Sequence, residues 1–426
     1  MRHLRSRIAI AALTALAGLS IAGAQTQRQT QSPEQVASMD AAVGKAFEQA
    51  QLSLAEGRVA EADRLLRIVL KTDPDQQRAA TMLRTLYTNY GLELAVDESS
   101  LSLVRDQLGE DNRDFARYES RHFVVLSNAP RDWTNQRLAL LERTHFQYTR
   151  MMKLMGLQSV PPANKLICVL FDEHTDYAAF ARRTDRVEAP WVAGYYASGS
   201  NRIVMYDDAT GPTFAEANRQ IEQLQQQAEQ ARRQARSAHR SQMDRAQDYA
   251  KRVREHADRE AERIRALVRA ASDAKAVHEA AHLIAFNCGL QSRSRRYPFW
   301  LTEGLATNFE TEDATGAFGP DRPIDARERD FDRRMEAGAL LPLRDLVQLV
   351  DIGHFESDHA GVAYAQSYAL FRYLYRSNRD QLAQMFRDIE REPAGPISPE
   401  RMLELFEQRI GPVDLVEREW LRFEQR

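Results

Sequence analysis

Apolar residues between positions 38 and 90 recur at helical spacing, and this is the first regular pattern in the chain. Leu66 and Leu70, for example, would lie on the same side of one helix. Gly57 interrupts the pattern on one side of this helix, and Pro74 interrupts it on the other. The N-terminal part of the chain is therefore predicted to form short consecutive helices.

The spacing changes after residue 117. The runs 122–127 and Leu166–Phe171 are apolar and rich in β-branched residues, which predicts two strands. Between them, 133–155 has the pattern of an amphipathic helix. The runs 192–196 and 202–206 surround a small polar turn and predict a hairpin. Together these elements predict an α+β fold with a small mixed sheet.

Residues 213–270 are rich in Gln, Arg, Glu and Ala and contain few apolar residues. The segment predicts a helical insertion, either one long helix or a helical hairpin broken near 237–241. Its alternating charges favour a solvated helix face with pairs at i,i+4 spacing. A coiled-coil docking arm is the alternative, although the apolar positions do not keep a heptad.

The N-terminal helices resemble a tetratricopeptide repeat over residues 36–95, although Ser53 replaces the usual aromatic residue of that pattern. The matching positions are Ala50, Gly57, Ala62, Leu66, Leu70 and Pro74. One and a half repeats cannot stack into a solenoid. Two interpretations stay open, a helical hairpin that packs on the main domain and a small module that docks a protein partner.

The first 24 residues have the pattern of a signal peptide. Three arginines precede an apolar run over 8–23, and this run ends in Ala22-Gly23-Ala24, where a signal peptidase would cleave. The run is short for a bilayer span, which needs roughly 20 residues. We expect an exported protein, periplasmic or secreted, with no stable membrane span after removal of segment 1–24. An uncleaved anchor is the alternative.

Composition narrows the function classes further. With 58 Lys+Arg against 61 Asp+Glu, the 426-residue chain lacks the basic excess of a nucleic-acid binder, so we expect no nucleic-acid partner. Cys168 and Cys288 are the only cysteines, which excludes a cysteine-based zinc ribbon and a disulfide scaffold. Both lie in apolar contexts, so buried free thiols are favoured over a single bridge.

The sequence His278-Glu279-Ala280-Ala281-His282 carries the clearest chemical signal. Residues at i and i+4 share one face of a helix, so both imidazoles can bind one metal ion. Zn²⁺ accepts neutral imidazole nitrogens, and a catalytic zinc site keeps one position open for water. Glu279 follows the first histidine and can act as the general base toward that water.

A third ligand is available in Glu303, which lies 21 residues after His282 in the segment PFWLTEGLATNFE. The two segments resemble the gluzincin branch of zinc metallopeptidases, and most closely a bacterial metallopeptidase-like domain family of unknown function. The resemblance implies that Glu303 is the third zinc ligand. It also implies a zincin-like domain over 115–426, with an active-site helix, a helical lower half and an edge strand lining the cleft.

Two further expectations concern the surroundings of the metal, and the first involves a departure from the family pattern. Thr307 stands where related enzymes have an Asp that orients a ligand histidine, and Glu310, seven residues after Glu303, is the predicted substitute. Several gluzincins stabilise the oxyanion with a Tyr or His from the lower half. The resemblance makes Tyr364 and Tyr368 the candidates here, and the alternative is that both are core aromatics.

These observations predict an exported zinc-dependent peptidase that acts on a peptide or protein substrate. His278, His282 and Glu303 would bind Zn²⁺, and Glu279 would activate the water. The alternative is a non-catalytic exported scaffold that binds protein partners through its N-terminal helices or the 213–270 insertion. A third interpretation makes the insertion a regulatory lid over the cleft, because it enters just before the segment that contains His278.

Overall fold

The computed structural model describes residues 33–425, except 74–75, 188–193, 209–210, 212–213, 354 and 356. The predicted signal peptide lies outside these residues. The chain has an α+β fold in which helices surround a small mixed sheet, as predicted. No helix in the described part of the chain is both long enough and apolar enough to cross a bilayer.

Four helices precede the sheet: α1 Pro33–Ala55, α2 Val59–Thr72, α3 Gln77–Tyr90 and α4 Glu98–Leu108. The predicted break at Gly57 is present, and this residue adopts a φ of 75°, which glycine accepts without strain. The first three helices enclose a separate apolar core that includes Leu66 and Leu70. This helical region packs on the following domain, where the Lys165 N–H donates to the Ala95 carbonyl at 2.8 Å.

The sheet has five strands in the order β1-β2-β3-β5-β4. The strands are β1 Ala116–Glu119, β2 Phe123–Ser127, β3 Leu166–Phe171, β4 Gly194–Ala197 and β5 Arg202–Tyr206. The three central strands are parallel, whereas β1 and β4 pair antiparallel at the two edges. Every residue of the central strands is buried, which explains their continuous apolar runs. The sequence pattern did not predict β1, and positions 192–193 of the predicted hairpin lie outside the described residues.

Two helices accompany the sheet, α5 Arg131–Leu154 and α6 His174–Phe180. Successive side chains of each strand point to opposite faces of the sheet, as strand geometry requires. Phe123 and Cys168 on one face belong to the main core with α5, whereas Val124 and Val169 on the other face pack with α4 and α6. Both cysteines are buried free thiols, as favoured by their apolar contexts.

The 213–270 insertion is a helical hairpin broken at 238–242, so the single-helix interpretation is wrong. Its helices are α7 Ala215–Ser237 and α8 Met243–Ala285. The second helix does not end with the insertion. The whole helix has 43 residues, includes His278 and His282, and is about 65 Å long at about 1.5 Å per residue. The second helix of the insertion and the segment with the two histidines therefore form one continuous helix.

The C-terminal half is helical: α9 Phe299–Thr307, α10 Asp325–Glu336, α11 Leu343–Gln348, α12 Ser357–Ser377, α13 Arg379–Ile389, α14 Pro399–Arg409 and α15 Val413–Glu424. A two-residue parallel pairing joins β6 Arg295–Arg296 to β7 Gly395–Pro396. The C-terminal part of α8 lies between the sheet and these helices, and its apolar residues belong to the main core. This sandwiched position fixes the orientation of the polar residues on α8.

Candidate metal centre

His278, His282 and Glu303 lie together in the interior, each with no more than 4 % of its surface exposed. The histidines share one face of α8, as their i,i+4 spacing predicts. Glu303 lies on α9, which packs closely on α12 at Gly304. A Cβ at Gly304 would lie 2.5 Å from the Ser367 carbonyl oxygen, so only glycine permits this approach.

The donor atoms of the three residues are close enough to share one cation. The two Nε2 atoms of His278 and His282 are 3.2 Å apart. Nε2 of His278 is 3.3 Å from Oε2 of Glu303, and Nε2 of His282 is 3.5 Å from Oε1 of Glu303. Among the described residues this is one group of side chains that could hold a metal ion, and the sequence predicted all three of its members.

Glu310 supports the centre from behind His278. Its Oε1 accepts a hydrogen bond from Nδ1 of His278 at 2.9 Å, so the predicted substitute for the missing Asp is in contact with the imidazole. The spacing of seven residues predicts that Glu310 shares a helix face with Glu303. This prediction is wrong, because α9 ends at Thr307 and Glu310 lies beyond it in a turn. The Thr307 hydroxyl donates to the Glu303 backbone carbonyl at 2.7 Å, so this residue does not replace the Asp of the family pattern.

This hydrogen bond determines the tautomer of His278. An ionised carboxylate can only accept, so Nδ1 carries a proton, and in its neutral form the ring presents a lone pair at Nε2. Burial lowers the pKa of His278, but hydrogen bonds to Glu303 and Glu310 outweigh it and raise this pKa to about 10. The two carboxylates therefore favour a positive charge at this ring, either a second proton at Nε2 or a cation that takes the place of that proton.

Arg327 in turn binds Glu310, the partner of His278. The sequence did not predict this arginine. Its Nε and one terminal nitrogen bind both oxygens of Glu310, at 2.8 and 2.7 Å. Only 2 % of Arg327 is exposed. Burial by itself would raise the pKa of Glu310, but Arg327 and His278 hold it below its usual range. The chain contains 58 Lys and Arg residues, and nothing in the local pattern distinguished this one.

Glu279 projects from α8 toward the edge of the sheet. Its Oε2 accepts the backbone N–H of Tyr196, on the edge strand β4, at 2.8 Å. Burial raises the pKa of Glu279, while His278 and His282 oppose that rise. The carboxyl group is therefore held in place and has a greater proton affinity than an exposed glutamate.

A polar contact joins the β4–β5 hairpin to the end of α8. The carboxamides of Asn201 and Asn287 exchange hydrogen bonds of 2.9 and 2.8 Å. The Tyr196 hydroxyl donates to Asn201 at 3.0 Å, and its ring stacks on Phe286 with centroids 5.6 Å apart. We call these four residues the hairpin contact. It keeps β4 beside Glu279, and the sequence pattern did not predict it.

Tyr364 and Tyr368 are both buried on α12, one turn apart. The Tyr364 ring packs edge-on against Phe299, with centroids 5.0 Å apart. Tyr368 belongs to the main core, and its hydroxyl accepts the N–H of Ile324 at 3.0 Å. Both are thus core aromatics, and their role as oxyanion donors stays a prediction.

Three further histidines, His122, His145 and His174, have other surroundings. Nδ1 of His122 pairs with Glu142 at 2.7 Å, and its ring stacks on His145 with centroids 3.8 Å apart. His174 packs against Tyr206 at the opposite sheet face from α8. All three therefore have partners outside the candidate metal triad.

Comparison with known proteins gives one match. A family model described as "Protein of unknown function (DUF1570)" matches residues 272–395. No curated protein and no solved structure matches the chain. The matched segment contains all three metal-binding candidates together with Glu279, Glu310 and Arg327. The match therefore covers the candidate metal centre, and the matching family is of unknown function.

Proposed function

We propose that the protein is an exported zinc-dependent peptidase with a zincin-like fold of the gluzincin type. One observation carries the proposal, the spacing of the three buried donors beside the carboxylate of Glu279. Tetrahedral zinc with bonds of about 2.0–2.1 Å places its ligand atoms about 3.3 Å apart. The donor separations of 3.2, 3.3 and 3.5 Å fit that geometry.

In this proposal His278, His282 and Glu303 hold Zn²⁺, which when bound polarises a peptide carbonyl and lowers the pKa of water. Glu279 takes a proton from the attacking water and transfers it to the leaving amine as the C–N bond breaks. Its raised pKa suits both transfers. The Tyr196 N–H fixes the carboxylate orientation, so that little reorganisation is needed.

The proposed substrate is a peptide or protein segment bound in extended form along β4. This strand is at the sheet edge, where backbone groups can pair with an additional strand. The Tyr196 N–H points away from β5, toward Glu279. Backbone groups two residues apart in a strand point in the same direction, so the N–H of Gly194 also points away from β5. Tyr364 and Tyr368 are the proposed oxyanion donors, and each would have to reach the site from α12.

The test compares wild type with Glu279→Gln, which keeps the size and the Tyr196 contact of this side chain. We expect one zinc per chain in both proteins, and cleavage of an unstructured protein pool by wild type alone. Equal cleavage by both proteins would remove Glu279 from the mechanism. Failure of purified wild type to bind zinc would remove the peptidase proposal.

The alternative proposal is a non-catalytic exported scaffold, and the helical hairpin α7–α8 favours it. This hairpin is held by a small core that includes Ile221, Ile264 and Val268 near its base. Beyond this core its surface is polar and accessible to a protein partner. A zinc-free protein that nevertheless captures a partner through α7–α8 would support this alternative.

A further inference from the structure

A cavity of about 640 Å³ lies where the N-terminal helices, the tip of the β4–β5 hairpin and the end of α8 meet. Its wall includes Lys71 and Asp97 on one side, 199–202 from the hairpin tip, and Phe286 with Arg293 on the other side. None of the described lining residues belongs to the metal triad. The cavity is therefore separate from the candidate metal centre.

The cavity has a positive charge imbalance. Most charged groups of its wall are neutralised by ion pairs: Lys71–Asp97 at 2.6 Å, Lys165–Glu119 at 2.8 Å, Arg202–Asp185 at 2.9 Å and Arg295–Glu390 at 3.5 Å. Arg186 and Arg293 also line the cavity but have no ion-pair partner among the described residues. The Arg293 Nε atom is in addition buried without a hydrogen-bond partner.

Such an arrangement favours a carboxylate. A guanidinium offers planar, paired N–H donors that match the two oxygens of a carboxylate. A buried N–H without an acceptor is costly, and a ligand oxygen would remove that cost. Arg186 and Arg293 line the cavity from two different segments, one before β4 and one after α8, so both add positive charge to it.

Tyr196 connects this cavity to the cleft. Its backbone N–H binds Glu279, whereas its ring and hydroxyl contact Phe286 and Asn201, which both line the cavity. A chain that follows β4 past Tyr196 therefore reaches the hairpin tip and the cavity mouth.

The distance from Glu279 to the cavity corresponds to a small number of substrate residues. From Glu279 to Asn287, the end of α8 and the helical turn that follows it advance about 12 Å, at about 1.5 Å per residue. An extended chain covers that length in about three to four residues, at about 3.3 Å per residue. A group at that distance from the scissile bond would thus enter the cavity while the bond itself lies at Glu279.

We propose that the cavity is a distal substrate subsite that binds a carboxylate three or four residues from the scissile bond, through Arg186 and Arg293. This inference rests on the proposed peptidase function. The carboxylate can be an Asp or Glu side chain, or the C-terminus of the substrate itself. Both sources present the same chemistry to the two arginines.

The experiment uses full-length zinc-loaded protein and a library of ten-residue peptides, read by mass spectrometry. We expect enrichment of Asp or Glu three or four residues from the cleaved bond in wild type. The Arg186→Gln/Arg293→Gln double variant should lose at least about tenfold of this preference, because one charge-assisted contact is worth about that factor. Arg182→Gln, an exposed neighbour outside the cavity, should keep it.

Amidated and free-acid versions of each peptide separate the two sources. A preference abolished by amidation assigns the cavity to the substrate C-terminus, and one that persists assigns it to an acidic side chain. Cleavage with the same profile in wild type and the double variant would overturn the subsite, while leaving the peptidase proposal intact.

Binding measurements keep the subsite testable if no peptide is cleaved. Fluorescence anisotropy with Glu279→Gln protein measures affinity for the same labelled peptides. Carboxylate-dependent binding that is lost in Arg186→Gln/Arg293→Gln would support the subsite, even though the peptidase proposal had failed. Binding that is indifferent to the carboxylate and to both arginines would overturn it.

Discussion

Arg327 holds Glu310 through two parallel hydrogen bonds of 2.8 and 2.7 Å, and Glu310 in turn holds Nδ1 of His278 at 2.9 Å. All three side chains are nearly fully buried. A bidentate guanidinium fixes the plane of the carboxylate, which in turn fixes the rotation of the imidazole. Arg327 is therefore a positioning residue that acts on the metal centre through Glu310.

Removing the carboxylate should weaken metal binding more than it weakens the fold. Glu310→Gln keeps the volume but lets the amide present a donor to His278, so the imidazole loses its fixed tautomer. We expect about a 10- to 100-fold loss of zinc affinity, the usual effect of losing such a partner. Competition with a fluorescent chelator measures it.

Arg327→Gln should have a similar effect, because Glu310 then lacks its counter-charge. Arg329→Gln on the same helix is the matched control, since its side chain is 67 % exposed. A wild-type zinc affinity in Arg327→Gln, with the fold intact by circular dichroism, would contradict a positioning role.

Gly304 should tolerate no side chain. A Cβ there would lie 2.5 Å from the Ser367 carbonyl and 2.9 Å from Cβ of Phe371, so α9 and α12 would have to separate. Gly304→Ala should destabilise the protein by about 1–3 kcal/mol and shift Glu303 away from the two histidines. Urea unfolding and zinc titration test the two effects.

Gly44→Ala is the control for that substitution. Gly44 lies inside α1, and a Cβ at this position meets nothing within 4 Å. The change should stabilise the protein by about 0.5–1 kcal/mol, because alanine loses less backbone entropy than glycine on entering a helix. Equal destabilisation by both substitutions would disprove the steric account.

The hairpin contact should affect catalysis without affecting the metal. Asn287→Ala removes both carboxamide bonds to Asn201, so β4 is held less firmly beside Glu279. We expect about a tenfold loss of kcat/KM, with zinc content unchanged, since a displacement of about 1 Å can cost more than that. Reduced zinc content would show instead that the change disturbs α8 itself.

Shortening the α7–α8 hairpin tests the lid interpretation. Ile221 and Ile264 pack in the same small core, so a short Gly/Ser linker can replace 222–263 while that core is kept. We expect zinc content and cleavage of short peptides to stay within about twofold, because the metal centre lies on the retained part of α8. Unchanged cleavage of large substrates as well would discard the lid.

Glu424 should make the protein less stable as the pH rises. Burial raises its pKa to about 7, although Arg372 opposes the rise. Between the unfolded value of about 4.5 and 7 the folded state binds more protons, so stability falls as the pH increases through that window. Above pH 7 the full cost is present, and at pH 4 it is absent.

Glu424→Gln should therefore raise the free energy of unfolding at pH 8 by about 1–3 kcal/mol, and change it little at pH 4. Glu419→Gln on the same helix is the control, since Glu419 is exposed. Thermal unfolding at both pH values measures the difference. A gain that is equal at pH 4 and pH 8 would rule out a titration of Glu424.

Much of the site could be predicted because its residues follow short, regular spacings in the sequence. An i,i+4 pair of histidines shares a helix face wherever that helix lies, and Leu166–Phe171 is a strand because its apolar side chains suit burial on two faces. Glu303 was found through its resemblance to a family pattern. Arg327 had no such signal, because its role depends on where α10 packs.

The local sequence determined the helices, the central strands and the identity of the metal-binding side chains, since backbone periodicity decides which residues share a face. The tertiary structure alone decided that α8 runs unbroken from the insertion to His282, that β4 meets Glu279, and that Arg186 and Arg293 share a cavity. The physical reason is that these contacts join residues distant in the chain, and packing of complete elements sets their separation.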